Sequence, residues 1–343
     1  MISFKSILKN YYINKKIKYQ SHQSKHWKII YGEKFKKLKE YDIQNFRNNF
    51  LSKGLDDSFY SLGFKKKIYD NFIKEIGQLF LKKNLNKKNI GNLKNFFFFK
   101  NLKIDINELF HIYWLYSLKK KVKKKIKITC EIGGGYGSLA EKIIKNYECK
   151  YILIDLPETN ILSSYYLSRN FPKKKIFFGN KKNFLVLDKK LLSKYDIFIL
   201  TPQYSFDSLE IDLFINTRSF MEMESETVKN YFELIHKFIS KDGFFLNINR
   251  YKKKTVSRPM YFGEYPYDKR WSVIYSEVSW MQKHCHHLLV QRLSHNSRKI
   301  EIELKKIKKI SFMKQFIIDK ILFKNLLPRF VYVYLVNLKR KLY

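Results

Sequence analysis

The chain has 343 residues, a mass of 41.7 kDa, 45% hydrophobic residues and a formal net charge of +39. A chain of this length and composition can bury a large core, which excludes an intrinsically disordered or collagen-like protein. No charge-free apolar run approaches the roughly 18 residues that a membrane-spanning helix needs, and the three scattered cysteines cannot build an extracellular disulfide framework. We therefore expect a globular protein of a reducing compartment, the cytoplasm.

The positive charge is concentrated in the two flanks of the chain. Between Glu131 and Asn249, 16 Lys and Arg residues stand against 15 Asp and Glu residues, a net charge of +1 that leaves +38 on the flanks. Basic flanks can bind nucleic acid or an anionic membrane. Lys, Ile, Asn, Phe and Tyr are abundant together, however, as codon bias in a genome rich in A and T would produce. Both explanations stay open at the level of sequence.

Residues 1–125 are predicted to form a helical N-terminal region. Lys-rich polar stretches alternate there with aromatic clusters, such as Phe96 to Phe99 and the run from Leu109 to Leu118, and the period of the apolar residues is helical or irregular. Four adjacent phenylalanines could form a binding surface, but burial in a core is the favoured interpretation. We expect this region to pack on the domain that follows.

Residues 126–298 alternate between short apolar runs and helical segments. The apolar runs predict strands, and the segments between them carry apolar residues on one helical face. The predicted strands cover residues 126–132, 151–154, 176–178, 197–200, 213–216 and 244–248, and the helices carry apolar faces within residues 139–147, 161–166 and 228–238. This β-α-β-α order predicts a parallel sheet that helices cover on both faces.

An irregular stretch with two prolines follows Arg250 and precedes two further predicted strands. These strands lie near residues 272–275 and 287–292, and they could close the edge of the sheet as an antiparallel pair.

Residues 299–343 are predicted to form a separate C-terminal tail. Apolar residues recur at helical spacing among lysines between Lys305 and Leu327, which is typical of a basic amphipathic helix. Such a helix can lie on an anionic membrane, which would place the protein at the inner face of that membrane. The alternative is that the tail packs its apolar side on the sheet or on a partner subunit and leaves its lysines in water.

The strongest signal for a ligand is the segment Glu131-Ile-Gly-Gly-Gly-Tyr-Gly137, directly between a predicted strand and a predicted helix. Gly133, Gly135 and Gly137 allow tight turns and a close approach of the backbone to a ligand, and the following helix offers unpaired N–H groups. A dinucleotide fingerprint would need glycine in place of Ser138, and the Gly-Lys-Ser/Thr of a P-loop is missing. The remaining pattern, E-x-G-x-G-x-G, is typical of S-adenosylmethionine-dependent methyltransferases, in which Glu131 could meet the cationic methionyl end of the cofactor.

An acidic residue follows at the spacing that such a cofactor requires. Asp155 ends the next predicted strand, 22 positions after Gly133. A carboxylate there can accept hydrogen bonds from both ribose hydroxyls, and charge-assisted bonds of this kind contribute about 1.5 to 3 kcal/mol each. The loop alone is weak evidence. The loop, the acid, their spacing and the strand-helix order together favour a bound S-adenosylmethionine over a purely structural loop.

Four segments resemble the bacterial sugar O-methyltransferase family. They are the glycine-rich loop, Tyr151 to Glu158, Asp212 to Met223, and the stretch from Tyr265 through Ser279-Trp-Met-Gln282 to about Arg292. The resemblance covers the middle half of the chain and fades in both flanks. It implies a class I methyltransferase fold, a Rossmann-like α/β sheet that is mostly parallel with an antiparallel edge strand, and a saccharide hydroxyl as the methyl acceptor.

Thr201-Pro-Gln-Tyr204 is similar to the Asn/Asp-Pro-Pro-Tyr motif of enzymes that methylate amino groups, but its second proline is missing. That motif also belongs after the fourth strand, with a long helix before the fifth. The long helix comes after Met223, so residues 213–216 are predicted to be the fourth strand and Thr201 to Tyr204 to follow the third, near the adenine. The further cofactor-contact candidates are therefore Thr201, Gln203 and Asn216.

Methyl transfer to a hydroxyl is an in-line displacement at a sulfonium carbon, so the protein must orient the acceptor oxygen and help to remove its proton. Residues just beyond the fourth strand face the methyl group in this fold, which makes Glu222 the preferred base. Its alternative role is a carboxylate that complements a helix dipole. His284 and His286 could share one face of a strand as base, substrate contact or metal ligand, or could be surface histidines. No further ligands stand at spacings typical of zinc, and no metal site is predicted.

Tyr265, Asp268, Trp271 and Trp280 lie where this fold carries acceptor-specific insertions, and aromatic faces stack well on sugar rings. Packing of the two tryptophans in the core is the alternative. The leading hypothesis is an enzyme of polysaccharide or glycolipid synthesis that methylates a sugar or a lipid-linked sugar. An RNA methyltransferase ranks lower, because no RNA-binding module is recognised. A membrane-surface or scaffold protein with a ligand-binding but inactive core is the third hypothesis.

Overall fold

The computed structural model describes residues 3–15, 35, 38–48, 51, 61–179, 186–252 and 260–322. Its N-terminal part is mainly helical, with one short β-hairpin. The elements there are α1 (Phe4–Lys15), α2 (Glu40–Gln44), α3 (Leu62–Ile76), α4 (Gln78–Asn84), β1 (Phe97–Phe99), β2 (Leu102–Ile104) and α5 (Ile106–Lys121).

The remaining elements alternate between strands and helices before a final pair of strands and a long helix. In chain order they are β3 (Ile128–Ile132), α6 (Ser138–Tyr147), β4 (Lys150–Ile154), α7 (Pro157–Asn170), β5 (Ile176–Phe178), α8 (Lys189–Lys194), β6 (Ile197–Leu200), β7 (Ile211–Thr217), α9 (Ser225–Phe238), β8 (Ile239–Arg250), β9 (Trp271–Val278), β10 (Cys285–Arg292) and α10 (Lys299–Leu322).

Strands β3 to β10 form one eight-stranded sheet in the order β5-β6-β4-β3-β7-β8-β10-β9. Every pair from β5 to β8 is parallel, and β10 runs antiparallel to both of its neighbours. Parallel neighbours need crossover connections, and α6, α7, α8 and α9 provide them. The expected Rossmann-like sheet is confirmed: it is mostly parallel, has an antiparallel pair at one edge, and follows a helical N-terminal region.

The order of the strands in space decides which of them takes the third and fourth positions. β7 lies beside β3, so it is the fourth strand, as the sequence predicts. β6 lies beside β4, so Thr201 to Tyr204 follow the strand in the third position, also as predicted. β5 comes earlier in the chain but pairs with the outer side of β6. As a result, β3, β4 and β7 end side by side at one edge of the sheet.

The strand β8 is longer than its sequence suggests. The dipeptide Asp242-Gly243 predicts a turn before a strand that starts at Phe244, whereas β8 already pairs with β7 at Ile239. The strand absorbs the turn as a bulge, because Asp242 adopts a φ of 59° and the register on β7 shifts between Ile211 and Leu213.

Apolar side chains cover both faces of the sheet. Alternate residues of β4 divide between two cores, with Tyr151 on the side of α5, α6 and α7 and Ile152 on the side of α9 and α10. The phenylalanine cluster is only partly buried, because Phe97 is 2% exposed and Phe98 is 71% exposed in the hairpin. The three cysteines are buried free thiols.

The first part of the C-terminal tail packs on the domain. Helix α10 contacts the short helix Phe262–Glu264 and strand β9, and it buries Ile300 and Ile307 in the core beneath α9. The described portion therefore follows the packing alternative, while residues 323–343 lie outside the described residues. Contact of the tail with an anionic membrane stays a prediction. Among the described helices, none is both long enough and apolar enough to cross a membrane.

A buried ion cluster joins α5 to α6. Lys142 is 1% exposed, and its Nζ donates hydrogen bonds to Glu108 Oε1 at 2.7 Å and to Glu141 Oε2 at 2.6 Å. Burial disfavours the charged lysine, but the two carboxylates outweigh this effect and raise the pKa of Lys142 above its usual value. Glu108 also accepts the backbone N–H of Asn86, so the cluster fixes the chain before α5 as well.

This cluster predicts unequal effects of two lysine substitutions. Lys142→Met should lower the free energy of unfolding by about 3–5 kcal/mol, because it leaves two carboxylates without their buried partner. Lys145→Met is the matched control, since Lys145 pairs with the same Glu141 but is 47% exposed, and it should cost under about 1 kcal/mol. Urea unfolding measures both. Equal losses would contradict the assignment.

Candidate functional site

A cleft opens at the edge of the sheet where β3, β4 and β7 end. Its volume is about 1040 Å³ measured to its open mouth. Four segments form most of its wall: the glycine-rich loop after β3, the turn after β4, the segment after β7 and one face of α5. The lining residues are Asn107, His111, Trp114, Gly133, Gly134, Gly135, Tyr136, Ser138, Ile154, Asp155, Leu156, Thr159, Pro202, Thr217, Arg218, Ser219, Glu222, Met223 and Tyr231.

The glycine-rich loop has the backbone that its sequence predicts. Gly133, Gly135 and Gly137 have φ values of 75°, 58° and 91°, which residues with a side chain rarely adopt. At Gly133 the space is also closed, because a Cβ there would lie 1.9 Å from Oγ of Ser219. The N–H of Gly133 donates to the carbonyl of Ile154 at 2.7 Å, which fastens the loop to the end of β4.

Asp155 lines the cleft beside this loop. Its carboxylate accepts hydrogen bonds from the backbone N–H groups of Gly135 at 2.9 Å and Leu156 at 2.7 Å. Burial raises the pKa of Asp155 to about 7, although both N–H groups favour the ionised form, and the nearby charge of Glu222 raises it further. The two backbone N–H groups therefore hold the carboxylate in place.

Glu131 lies next to the loop but does not line the cleft. It is 1% exposed, and its Oε2 accepts a hydrogen bond from the hydroxyl of Tyr151 at 2.7 Å. Burial raises the pKa of Glu131 to about 7, and the bond from Tyr151 opposes this shift. The same oxygen would lie 2.9 Å from a Cβ on Gly134, so only a glycine leaves Glu131 this close to the loop.

The segment after β7 forms the wall opposite α5. Arg218 has a φ of 58°, in the left-handed region that non-glycine residues seldom occupy, and its N–H donates to the carbonyl of Ile248. Ser219 and the short helix Phe220–Glu222 follow at once. Glu222, the base predicted from the sequence, lines the cleft and is 9% exposed.

The other cofactor candidates after the third and fourth strands lie behind the wall. Thr201 is 1% exposed, and neither its hydroxyl nor the side-chain amide of Gln203 has a hydrogen-bond partner among the described residues. Pro202, between them, lines the cleft. The amide of Asn216 is fully buried, donates to the carbonyl of Ile132 and accepts from Asn249, so it holds strands together and is not exposed to the cleft.

The histidine cluster lies on β10 and outside the cleft lining. His284 is exposed in the turn directly before the strand. His286 is 2% exposed between the hydroxyls of Tyr251 at 2.9 Å and Ser276 at 2.7 Å. His287 faces the opposite side of the sheet and is fully buried. In the ranges that the structure describes, no group of three or more His, Cys, Asp or Glu residues is arranged to hold a metal ion.

The four substrate candidates are divided between the core and the surface, and none lines the cleft. Tyr265 and Trp271 are 2% and 0% exposed in the core under α9, which is the packing alternative. Asp268 accepts two hydrogen bonds from the guanidinium of Arg292, one of them at 2.9 Å. Trp280 packs edge-on against Tyr113.

Sequence reasoning missed the contribution of α5. Asn107, His111 and Trp114 all line the cleft, and their spacing of i, i+4 and i+7 places them on one face of the helix. The Nδ1 atom of His111 is 2.8 Å from the hydroxyl of Ser138, the first residue of α6. The only signal in the sequence was the polar residue His111, which stands within the apolar and aromatic run Leu109 to Leu118 and is at helical spacing from Asn107.

No protein-family model matches the sequence, and no curated protein matches it. Solved structures with some likeness include the pyocyanin biosynthetic protein PhzM (11% identity, 55% of this chain, 58% of that chain, TM-score 0.33). Another is a mutant of MtNAS in complex with S-adenosylmethionine (10% identity, 73% of this chain, 76% of that chain, TM-score 0.37). A third is an O-methyltransferase family protein from Burkholderia thailandensis (8% identity, 55% of this chain, 59% of that chain, TM-score 0.37). The chain spans 58% of the length of the first of these. Because the scores are low, no property of those proteins is carried over to this chain.

The contact between Gly133 and Ser219 predicts the effect of adding one carbon. Gly133→Ala should lower the free energy of unfolding by about 1–3 kcal/mol, because it adds both a clash and an unfavourable φ. The double variant Gly133→Ala/Ser219→Gly also removes the Ser219 side chain. It should therefore recover the part of the lost free energy of unfolding that is due to the clash. Gly63→Ala is the control, since a Cβ there meets no atom within 4 Å and φ is helical. Urea unfolding that shows equal effects at both glycines would be evidence against this geometry.

Proposed function

We propose that the protein is an S-adenosylmethionine-dependent methyltransferase that acts on a sugar hydroxyl in polysaccharide or glycolipid synthesis. The main observation in support of this cofactor is that the glycine-rich loop and Asp155 line the same cleft, where the N–H of Gly135 donates a hydrogen bond to Asp155. The sugar acceptor rests on the resemblance of the four sequence segments. An RNA methyltransferase and an inactive ligand-binding core remain the alternative outcomes of the experiments below.

The residues of the cleft fit S-adenosylmethionine. Asp155 would accept hydrogen bonds from the ribose hydroxyls, and the loop backbone at Gly133 to Gly135 would lie against the methionyl part, where a Cβ would fill the space. Glu131 would compensate the charge of the methionyl ammonium group from behind Gly134. The side chains of Thr201 and Gln203, which are buried without hydrogen-bond partners among the described residues, supply further polar groups toward the adenine.

The cofactor supplies a methyl group activated by a positive sulfur, and the chain supplies position and charge. The loop and α5 enclose the reacting region between them, which excludes water from one side of the acceptor. Glu222 lines the same cleft, close enough to Asp155 to raise the pKa of that carboxyl. The acceptor hydroxyl must lose its proton in the reaction, so a side chain that accepts protons has to lie within reach.

The cofactor assignment is tested by titration calorimetry with S-adenosylmethionine. Asp155→Asn keeps the size of the side chain but removes its charge, so affinity should fall about thirtyfold or more, equivalent to about 2 kcal/mol. Asp207→Asn, at an exposed aspartate outside the cleft lining, is the matched control and should leave affinity unchanged. Unchanged affinity in a folded Asp155→Asn protein would refute the site.

Cofactor binding should also depend on pH. The pKa values of Glu131 and Asp155 are both raised to about 7, so each carboxyl binds a proton below that pH and then no longer offers a charge to a cation or a charge-assisted bond to the hydroxyls. Affinity should therefore rise about tenfold or more between about pH 5.5 and about pH 7.5. Calorimetry across this range measures it, and a flat profile would contradict the assignment of these carboxyls.

The acceptor class is tested by transfer of a labelled methyl group. The full chain is incubated with methyl-labelled S-adenosylmethionine and a mixture of monosaccharides, nucleotide sugars and lipid-linked sugars, and in parallel with total RNA. We expect label in a sugar hydroxyl and not in RNA. Label in RNA would support the RNA methyltransferase, and binding without transfer to either would support the inactive core.

A further inference from the structure

Helix α5 places a histidine at the reacting end of the cleft. Its face Asn107-His111-Trp114 forms one wall, so His111 lines the cleft. The helix is anchored on α6 through the buried Lys142 cluster. The position of this wall is therefore fixed by the contact between α5 and α6.

Two contacts hold the ring of His111. Its Nδ1 atom is 2.8 Å from the hydroxyl of Ser138, and its ring packs against that of Trp114 with 5.1 Å between the ring centres. Ser138 directly follows the glycine-rich loop and begins α6, so the imidazole lies beside the loop that would hold the methionyl part. The contact with Ser138 involves Nδ1, and in the tautomer in which Nδ1–H donates to that hydroxyl the lone pair of the neutral ring lies on Nε2.

The other polar groups of the cleft suit proton transfer less well. Burial raises the pKa of Tyr231 far above its usual value. Asp155 already accepts two backbone N–H groups. Glu222 lies close enough to Asp155 to raise the pKa of that carboxyl, which places it toward the ribose side of the cleft. Arg218 is a permanent cation on the same wall and cannot accept a proton.

We propose that His111 takes the proton of the acceptor hydroxyl, an inference that rests on the function proposed above. The acceptor oxygen forms a bond to the methyl carbon while the carbon–sulfur bond breaks. The electron pair of that bond stays on sulfur, which becomes a neutral thioether. The hydroxyl proton moves to Nε2 of His111, and the imidazolium later releases it to water.

The charge balance of the cleft favours a neutral base. The reaction removes a positive charge from sulfur, and protonation of His111 creates one in the same cleft, so the net charge of the cleft is unchanged by the transfer. A carboxylate base would instead form an ion pair with the sulfonium before the reaction and lose it during the reaction, which stabilises the ground state more than the transition state.

The first test needs no acceptor. Histidine-labelled full-length protein is titrated by NMR in complex with S-adenosylmethionine, which is positively charged at sulfur, and with S-adenosylhomocysteine, which is neutral there. If His111 adjoins the sulfur, its titration midpoint should lie about half a pH unit or more lower in the first complex, because two like charges repel. Exposed His295 should titrate alike in both complexes. Equal midpoints for His111 would overturn the proposal.

The second test separates proton transfer from cofactor binding. His111→Gln keeps a polar side chain that can contact Ser138 but cannot accept a proton, so kcat should fall about a hundredfold while affinity for S-adenosylmethionine stays within about threefold. His295→Gln is the matched control and should change neither. Normal turnover of His111→Gln, or an equal loss of cofactor affinity, would overturn the proposal. Failure of the unaltered protein to bind S-adenosylmethionine would instead refute the proposed function itself.

Discussion

The structure depends on a lysine that has almost no access to water. The Nζ of Lys142 must be surrounded by carboxylates, because a buried cation without partners is unfavourable by several kcal/mol. Its partners come from two different helices, Glu108 from α5 and Glu141 from α6. Neither helix can shift without separating a buried pair. This constraint sets the face that α5 turns toward the cleft, and with it the position of His111 beside the first turn of α6.

The site is therefore assembled from both sides of the boundary at residue 125. The parallel strands β3, β4 and β7 place the glycine-rich loop, Asp155 and Glu222 at one edge, as parallel strands do wherever their connections cross over behind the sheet. The helix before β3 closes the remaining side. The residues before 126 thus take part in the cleft itself, in addition to packing on the domain that follows.

The features predicted correctly from the sequence are those encoded in a short stretch of chain. The strands β3, β4, β6 and β7 are apolar runs bounded by polar residues, and the turn after β3 needs glycine wherever φ is positive. The assignment of Leu213 to Asn216 as the fourth strand succeeded because a long helix must precede the fifth. The bulge at Asp242 was missed because a dipeptide that favours a turn looks the same whether or not the strand continues through it.

The features that were not predictable depend on contacts between distant segments. Alternation along β10 correctly separates His286 from His287, but no local pattern tells which face meets Tyr251 and Ser276. The hydroxyl of Ser276 is bound in turn by Glu303 of α10, a residue 27 positions away. Trp271 has the kind of aromatic side chain that stacks on sugar rings, but it packs between Phe245 and His236 in the core. Side-chain chemistry alone does not distinguish these environments.

The burial of Asp155 and Glu131 makes the stability of the fold depend on pH. In an unfolded chain Asp155 and Glu131 would have their ordinary pKa values, whereas in the fold both pKa values are raised to about 7. At pH values between the ordinary and the raised pKa values, the folded protein binds more protons than the unfolded one. Its free energy of unfolding therefore decreases as the pH rises toward 7. The fold thus holds two carboxyls at a cost that a nearby positive charge would offset.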